Sequence, residues 1–207
     1  MKRKLKTNLI RLRNNISPTN SFKISGKAVY SNQANILNTN IRIDPHNIVS
    51  FKSGVFLRNL KITVKGKGNE LIIHENTIMS GVIELFGNNN RIEVGKDSRL
   101  TGAHLYAHNG NQILIGEGCL FSSLIDIRTT DSHEIYNSKG ERINPDRDVI
   151  IHDRVWLGRD VTVLKGSEIE SDSIVGSKSL VTGFIPKNTI SGGIPAKVLK
   201  TGTSWKQ

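Results

Sequence analysis

The sequence of 207 residues has little of several residue types, and each shortage narrows the class of protein. Cys119 is the only cysteine, so no internal disulfide can form and a reducing compartment is expected. Aromatic residues make up 5% and hydrophobic residues 36%, which favours a thin, elongated core. No apolar run approaches the roughly 18 residues of a membrane span, and the first residues lack the apolar stretch of a signal peptide. We therefore expect one soluble, cytoplasmic domain.

Positive charge is what the sequence has in excess, since 29 Lys and Arg outnumber 18 Asp and Glu. Such a chain attracts polyanions. No nucleic-acid-binding motif is present, so we expect a phosphorylated cofactor, an acidic glycan or an anionic lipid surface instead. The basic arm, residues 1–20, alternates Lys and Arg with Leu and Ile across residues 2–13, which permits a short amphipathic helix. Two readings of the arm stay open: a solvated or oligomer-packing end, or binding to acidic glycan or the inner face of the cell membrane.

A period of six residues runs through residues 151–185. A large aliphatic residue opens each hexad, and a small residue stands at its fifth position. The opening residues are Ile151, Leu157, Val163, Ile169, Val175 and Val181. The fifth-position residues are Val155, Val161, Ser167, Ser173 and Ser179. This period fits neither a helix of 3.6 residues a turn nor a simply alternating strand.

A six-residue period is typical of a triangular coil. Six extended residues cover roughly 20 Å, enough for one flat face followed by a turn. Three hexads close one coil, with the large residue inside and the small residue at the corner. Stacked coils then form a parallel β-solenoid whose backbone hydrogen bonds run from coil to coil.

The preceding part of the chain carries the same signal at a period of 21 residues. Apolar residues recur at this offset, as in Ile73, Val94 and Ile115, and in Met79, Leu100 and Phe121. The three residues beyond eighteen fall at one corner, which Asn69, Asn90 and Asn111 share at the same spacing. We expect these asparagines to stack as a ladder of side chains. A less regular coil begins at Phe51.

The rhythm is interrupted between residues 130 and 148. Ile151 follows Ile115 by 36 residues, which is the length of two coils of eighteen. His133, Lys139 and Pro145 nevertheless stand at positions where the repeat predicts large apolar residues. We interpret this segment as a loop that leaves the solenoid, and loops on rigid scaffolds are where functional groups concentrate.

These coils resemble the left-handed β-helix acyltransferases with hexapeptide repeats. The regular hexads cover residues 151–185, and the looser coils extend the resemblance back to about residue 50. It implies an all-β fold, a left-handed parallel β-helix with a protruding loop and short terminal extensions. We place the β-helix domain at 21–185, between the arm at 1–20 and a tail at 186–207. The resemblance also implies a homotrimer with active sites between subunits, and acetyl-CoA as acyl donor.

His133 is the predicted catalytic base. Imidazole titrates near neutrality and suits removal of the proton from an attacking hydroxyl. A DSH segment ahead of a tryptophan hexad is similar to the pattern in saccharide O-acetyltransferases of this family, where that histidine is the base. We expect Asp131 to orient the ring and Tyr136 to contact or orient the acceptor.

Trp156 stands at position six of its hexad, so its indole should point outward. In the family a tryptophan here lines the cleft for acyl-CoA and acceptor, which makes it a second catalytic-site residue; packing under the loop or against another subunit is the alternative. By resemblance, the pantetheine and phosphates of the cofactor contact a further set of residues. That set is Gly158, Gly176, Ser177, Thr182 and Lys200. Many relatives have lysine after the threonine where this chain has Gly183, and Lys178, Lys187 and Lys197 are possible substitutes.

The predicted activity is O-acetylation of a saccharide hydroxyl, in a bacterial capsular or other surface polysaccharide. The acceptor attacks acetyl-CoA directly in a ternary complex, without an acyl-enzyme and without a metal. Three alternatives stay open. They are an N-acetyltransferase acting on an amino sugar nucleotide, a zinc enzyme like the gamma-class carbonic anhydrases with His104, His108 and His133 as ligands, and a purely structural solenoid.

Overall fold

A computed structural model of the chain describes residues 19–31 and 33–206, and all regular structure in that part is β-strand. The predicted helix of the basic arm falls mostly on residues 1–18, outside the described part. No helix in the described ranges is long and apolar enough to span a membrane. The first eleven strands are β1 Ser21–Ile24, β2 Lys27–Tyr30, β3 Asn35–Leu37, β4 Asn40–Ile43, β5 Ile48–Phe51, β6 Phe56–Lys65, β7 Glu70–Ile73, β8 Ile78–Phe86, β9 Arg91–Val94, β10 Arg99–His108 and β11 Gln112–Ile115. The others are β12 Leu120–Phe121, β13 Ile125–Arg128, β14 Val149–Ile151, β15 Trp156–Leu157, β16 Thr162–Val163, β17 Glu168–Ile169, β18 Ile174–Val175, β19 Leu180–Val181, β20 Phe184–Ile185, β21 Thr189–Gly193 and β22 Ala196–Thr201.

The strands line three faces of a prism, which confirms the predicted parallel β-helix. Face 1 holds β3, the first parts of β6, β8 and β10, and then β12, β15, β18 and β21. Face 2 holds β1, β4, the second parts of β6, β8 and β10, and then β13, β16 and β19. Face 3 holds β2, β5, β7, β9, β11, β14, β17 and β20. Neighbouring coils pair in parallel, and among the described strands only β21 and β22 pair antiparallel.

The hexad pattern marks the core as predicted. All six opening residues of the hexads from Ile151 to Val181 are buried. The fifth positions are buried as well, and the serine hydroxyls there bond to backbone carbonyls across the corner. Ser167 donates to the carbonyl of Val181 at 3.2 Å, and Ser173 to that of Pro186 at 2.7 Å. The small residue is therefore needed both for the sharp turn and for satisfying a buried polar backbone group.

The corner between faces 2 and 3 contains an asparagine ladder, although its members differ from the prediction. Asn69 donates to Asn47 Oδ1 at 3.0 Å, and Asn90 donates to Asn69 Oδ1 at 2.8 Å. Asn111 was wrongly included, because its amide bonds to the carbonyls of His108 and Asn109 instead. In place of a further asparagine, the backbone N–H of Gly110 donates a hydrogen bond of 2.9 Å to Asn90 Oδ1. The ladder ends there, one coil below the loop.

The C-terminal residues continue the fold beyond the last hexad. β21 extends face 1, and β22 folds back on it as an antiparallel hairpin. Trp205 then returns to the prism and is buried, with 7% of its surface exposed. The tail at 186–207 is thus largely ordered β-structure in the described residues.

Candidate active site

The loop leaves the prism at the corner between faces 2 and 3. It follows β13 and returns to β14, and its base is held by backbone groups of the coils. The buried side chain of Thr129 accepts a hydrogen bond of 2.9 Å from the N–H of His108, and its carbonyl accepts one of 3.0 Å from the N–H of Arg147. The N–H of Gly166, one coil further on, donates to the carbonyl of Asp148 at 2.9 Å. Both ends of the loop are therefore fixed to the rigid scaffold.

The outer half of the loop is a small hairpin. The N–H of Ile143 donates to the carbonyl of Ile135 at 2.8 Å, and Tyr136 faces Arg142 in an antiparallel bridge. Gly140 closes the hairpin with a positive φ of 76°, a conformation that glycine adopts readily. Internal hydrogen bonding gives this excursion a defined shape.

His133 lies on the inner half of the loop, with its side chain exposed. Its backbone carbonyl accepts a 2.8 Å hydrogen bond from the amide of Asn144, and the same Asn144 accepts one of 2.6 Å from the N–H of Ile135. Within the described ranges the imidazole itself has no hydrogen-bond or ion-pair partner. The main chain at His133 is therefore anchored while both ring nitrogens are free to meet a substrate.

In the described part of the chain Asp131 forms no hydrogen bond or ion pair with the His133 ring, although the sequence analysis expected it to orient that ring. Its carboxylate lies 2.5 Å from Lys165 Nζ and accepts a 2.8 Å hydrogen bond from Asn144. The hydrogen bond from Lys165 lowers the pKa of Asp131 below its ordinary value, so the carboxylate is ionised at neutral pH. Because Lys165 also donates to the carbonyl of Asn144 at 2.9 Å, one largely buried lysine ties both strands of the loop to the next coil.

Asp146 forms a second tie at the loop base. Its side chain, only 6% exposed, lies 3.1 Å from Arg142 Nη2 and 3.2 Å from His108 Nδ1. Burial raises the pKa of Asp146, but hydrogen bonds from Thr130 and His108 outweigh that effect and the net pKa is lowered. The ionised carboxylate thus links the loop to face 2.

Tyr136 occupies the exposed hairpin, where its hydroxyl donates to the carboxylate of Glu134. This hydrogen bond, together with the negative charge of Glu134, raises the pKa of Tyr136. The structure shows no contact between Tyr136 and His133, so a role for Tyr136 in holding the acceptor stays a prediction.

Trp156 points outward from face 1, as its position in the hexad predicts, and 37% of its surface is exposed. The indole is backed by Trp205, with ring centroids 6.0 Å apart. Trp205 is itself held firmly: its Nε1 donates to the carbonyl of Arg154 at 2.7 Å, and the Arg154 guanidinium lies 5.6 Å from its ring centroid. One side of Trp156 is therefore supported while the other faces solvent.

The predicted cofactor residues occupy two different corners of the prism. Gly158, Gly176 and Ser177 follow β15 and β18 at the corner between faces 1 and 2, whereas Thr182 follows β19 at the corner between faces 2 and 3. The N–H groups of Gly158 and Gly176 donate to carbonyls of the next coil at 2.8 Å, so they are unavailable to a ligand. Ser177 is an exposed residue, and within the described residues its N–H has no such acceptor. Lys200 is exposed on β22.

The zinc site considered from the sequence receives no support from the geometry. His104 lies near Glu84 and Asp126, and His108 near Asp146, so these rings do not converge with His133. In the described part of the chain, the group of possible metal ligands is His152, Glu168 and Glu170, on face 3.

Cys119 is fully buried, and burial raises the pKa of its thiol to about 12. A thiol this deep and this weakly acidic cannot serve as a nucleophile at neutral pH.

Three residues of this region escaped the sequence analysis. Asn144 and Lys165 support the loop, and Trp205 supports Trp156. Asn144 and Lys165 are 11 and 32 positions from His133, and no periodicity links them to it. A role for Trp205 could have been inferred from the sequence. It is one of two tryptophans and lies in a polar tail, where an indole needs a packing partner.

Both the sequence and the fold of this chain are similar to those of known acetyltransferases. No protein-family profile matches the chain. The polysialic acid O-acetyltransferase of Neisseria meningitidis is 34% identical over 144 residues, which cover 58% of this chain and 67% of the relative. The crystal structure of the polysialic acid O-acetyltransferase OatWY superposes with a TM-score of 0.80 at 29% identity, covering 91% of this chain and 88% of that one. That of the polySia-specific acetyltransferase NeuO gives 0.79 at 25% identity, covering 91% and 85%. With this sequence similarity, a prism of the same kind and the hexads in its core, the chain belongs to the β-helix O-acetyltransferases with hexapeptide repeats.

Proposed function

We propose that this protein transfers the acetyl group of acetyl-CoA to a hydroxyl of a saccharide in a bacterial surface polysaccharide. The observation that carries the proposal is the exposed imidazole of His133 on a loop whose main chain is fixed by Asn144 and, through it, by Lys165. The similarity to polysialic acid O-acetyltransferases supports a polymeric, acidic acceptor.

In the proposed mechanism His133 acts as general base. It takes the proton from the acceptor hydroxyl as the oxygen attacks the thioester carbonyl. Collapse of the tetrahedral intermediate breaks the C–S bond, and protonated His133 gives its proton to the departing sulfur, so that CoA leaves as its thiol. Backbone N–H groups stabilise the oxyanion, and the free N–H of Ser177 is a candidate donor. Direct transfer is favoured because Cys119, the one thiol of the chain, is buried and weakly acidic.

A site shared by two copies of the chain best explains the positions of these residues. His133 and Thr182 belong to the corner between faces 2 and 3, whereas Trp156, Gly158 and Ser177 belong to face 1 and the corner beside it. These corners lie apart on one prism, and contact between two prisms would bring them together. We therefore propose a homotrimer in which the loop of one copy meets the cofactor residues of the next.

The donor and acceptor are tested together by measuring CoA release from acetyl-CoA. A panel of acidic and neutral polysaccharides, monomeric sugars and amino sugar nucleotides should give turnover with a polysaccharide alone. Turnover on amino sugar nucleotides only would show an N-acetyltransferase, and no turnover on any acceptor would contradict the proposal.

The shared site is tested by mixing two variants that are each impaired in one half of the proposed site. Trp156→Ala and His133→Ala trimers, unfolded and refolded together, should regain activity, because some sites then combine an intact loop with an intact indole. Mixtures that stay inactive while forming trimers would place both residues in one subunit's site.

A further inference from the structure

The positive charge of this protein is concentrated at one end of the chain. Residues 1–68 contain fourteen Lys and Arg and one acidic residue, Asp44. Residues 69–207 contain fifteen Lys and Arg and seventeen Asp and Glu. The part of the chain that carries the loop and the hexads is therefore slightly negative, and the net charge of +11 comes from the first third.

In the described coils this excess forms a basic pole. We use that name for eight exposed side chains of the first three coils. They are Lys23, Lys27, Arg42, Lys52, Arg58, Lys61, Lys65 and Lys67. The six Lys and Arg of residues 2–13 precede them in the sequence.

The cations of the basic pole are largely uncompensated. Arg42 lies 4.0 Å from Asp44, and Lys61 lies 3.8 Å from Glu84; both cations are exposed and both distances are long, so these pairs are weak. Lys65 lies over the ring of Phe86. The other five have no ion-pair partner within the described ranges. Eight like charges this close repel one another, which favours binding of an anionic partner.

The pole surrounds the prism instead of following one flank. Lys23 and Arg42 are register partners on face 2, Lys27 is on face 3, Arg58 is on face 1, and Lys52 is at the corner between faces 3 and 1. With strands about 4.8 Å apart, three coils extend roughly 10 Å along the axis, close to one Debye length at physiological salt. All eight charges can therefore act at the same time on a planar anionic surface that meets this end of the prism.

The same geometry argues against a role in drawing the acceptor to His133. On face 2, β13 is the third strand after β6, which carries Lys61 and Lys65, and the fifth after β1, so the loop leaves the prism roughly 14–24 Å from the coils of the pole. Over this distance, about two to three Debye lengths, most of the field of the pole is screened. An acidic polymer bound at His133 would lie against residues 69–207, the part of the chain with a slightly negative net charge.

We propose that the basic pole is a binding surface for anionic phospholipid bilayers, which orients the prism end-on with the catalytic loop held away from the membrane. The partner is recognised by its density of negative head groups, and binding needs no membrane-spanning segment. This inference stands apart from the acetyl-transfer chemistry, since none of the pole residues belongs to the proposed active site.

Vesicle sedimentation tests the proposal. The full chain should bind phosphatidylcholine vesicles that contain one third phosphatidylglycerol, leave them at high salt, and ignore vesicles of phosphatidylcholine alone. The triple variant Lys23→Glu, Lys27→Glu, Lys52→Glu should bind at least about 100-fold more weakly. The matched variant Lys96→Glu, Arg99→Glu, Lys206→Glu has the same net charge and should bind nearly as the parent does.

Two controls make the result decisive. Both variants should unfold at the temperature of the parent and transfer acetyl to a soluble acceptor at its rate, so loss of vesicle binding is not loss of the fold or of the active site. Equal weakening in both triple variants would show a dependence on net charge alone and overturn the proposal. It would also be overturned if the pole variant kept its vesicle binding but lost binding to soluble polysialic acid, because the pole would then be a glycan site.

Discussion

The side-chain amide of Asn144 donates a hydrogen bond of 2.8 Å to the carbonyl oxygen of His133, across eleven residues of the loop. Lys165, from the next coil, donates to the carbonyl of Asn144 and pairs with Asp131. The main chain at His133 is therefore placed by a lysine that contacts neither the imidazole nor, in the proposed mechanism, the substrate.

Lys165→Met should lower kcat by about 10-fold to 100-fold, because small misplacements of a catalytic group are costly. KM for acetyl-CoA should change little, since the proposed cofactor residues are elsewhere. Steady-state kinetics measure both quantities, and Lys165→Arg, which keeps the positive charge, should recover part of the lost rate. A kcat equal to that of the parent would show that the loop holds its shape without this tie.

Trp205→Ala should raise KM for acetyl-CoA by about 10-fold while kcat stays within about 3-fold, because Trp156 loses the ring that supports it. Trp205→Phe keeps a ring but loses the hydrogen bond to the Arg154 carbonyl, so it should lie between the two. The fluorescence of Trp156, then the sole tryptophan, should shift to the red in the alanine variant. An unchanged KM would separate Trp205 from the cofactor site.

Asn69→Ala should lower the free energy of unfolding by about 2–4 kcal/mol, because it breaks several buried hydrogen bonds at once. The lost bonds include those to Asn47 Oδ1 and the carbonyl of Gly87, and the two that Asn90 donates. Asn111→Ala is the matched control outside the ladder and should cost no more than about 1 kcal/mol. Urea denaturation compares the two, and equal losses would contradict a special role for the ladder.

Acid should release the loop before the prism unfolds. The pKa values of Asp131 and Asp146 are lowered in the folded protein, so their contribution is present above the ordinary carboxyl pKa of about 3.9 and is lost as the pH falls through the lowered values. Limited proteolysis should cut within residues 129–148 at about pH 3 and below but not near neutrality.

Asp146→Asn is the control for this prediction, because it removes one of the charges at every pH. Its loop should be cleaved faster than the parent's already at neutral pH. A parent loop that resists an acid-active protease near pH 3 as well as it does at neutrality would show that the two carboxylates do not hold it.

The fold was readable where large residues recur at a fixed interval. The hexads from Ile151 onward and the 21-residue offsets from Ile73 to Ile115 predict buried positions correctly. Residues at a constant interval occupy equivalent positions in successive coils, so they point into the same core. The first two coils gave no such signal, since their register offsets vary from 19 between Ile24 and Ile43 to 21 between Tyr30 and Phe51. Periodicity detects regular packing, and the edge coils are irregular.

The site was readable only in part. The broken rhythm marked the loop, and hexad position six placed Trp156 outside. The partners of Asp131 could not be inferred, because Lys165 reaches it through the coil stacking and not through neighbouring sequence. Asn111 was assigned to the ladder by its spacing, yet the loop above it changes the corner, and the amide turns to His108 instead.

The most direct test of the account is the rate of acetyl transfer by His133→Ala. If His133 removes the proton of the acceptor hydroxyl, the turnover of a polysaccharide acceptor should fall by about 100-fold to 10,000-fold. The variant should keep the thermal stability and the oligomeric mass of the parent, because the imidazole has no partner in the described part of the chain. Turnover at the parent's rate would contradict the assignment of His133 as the base.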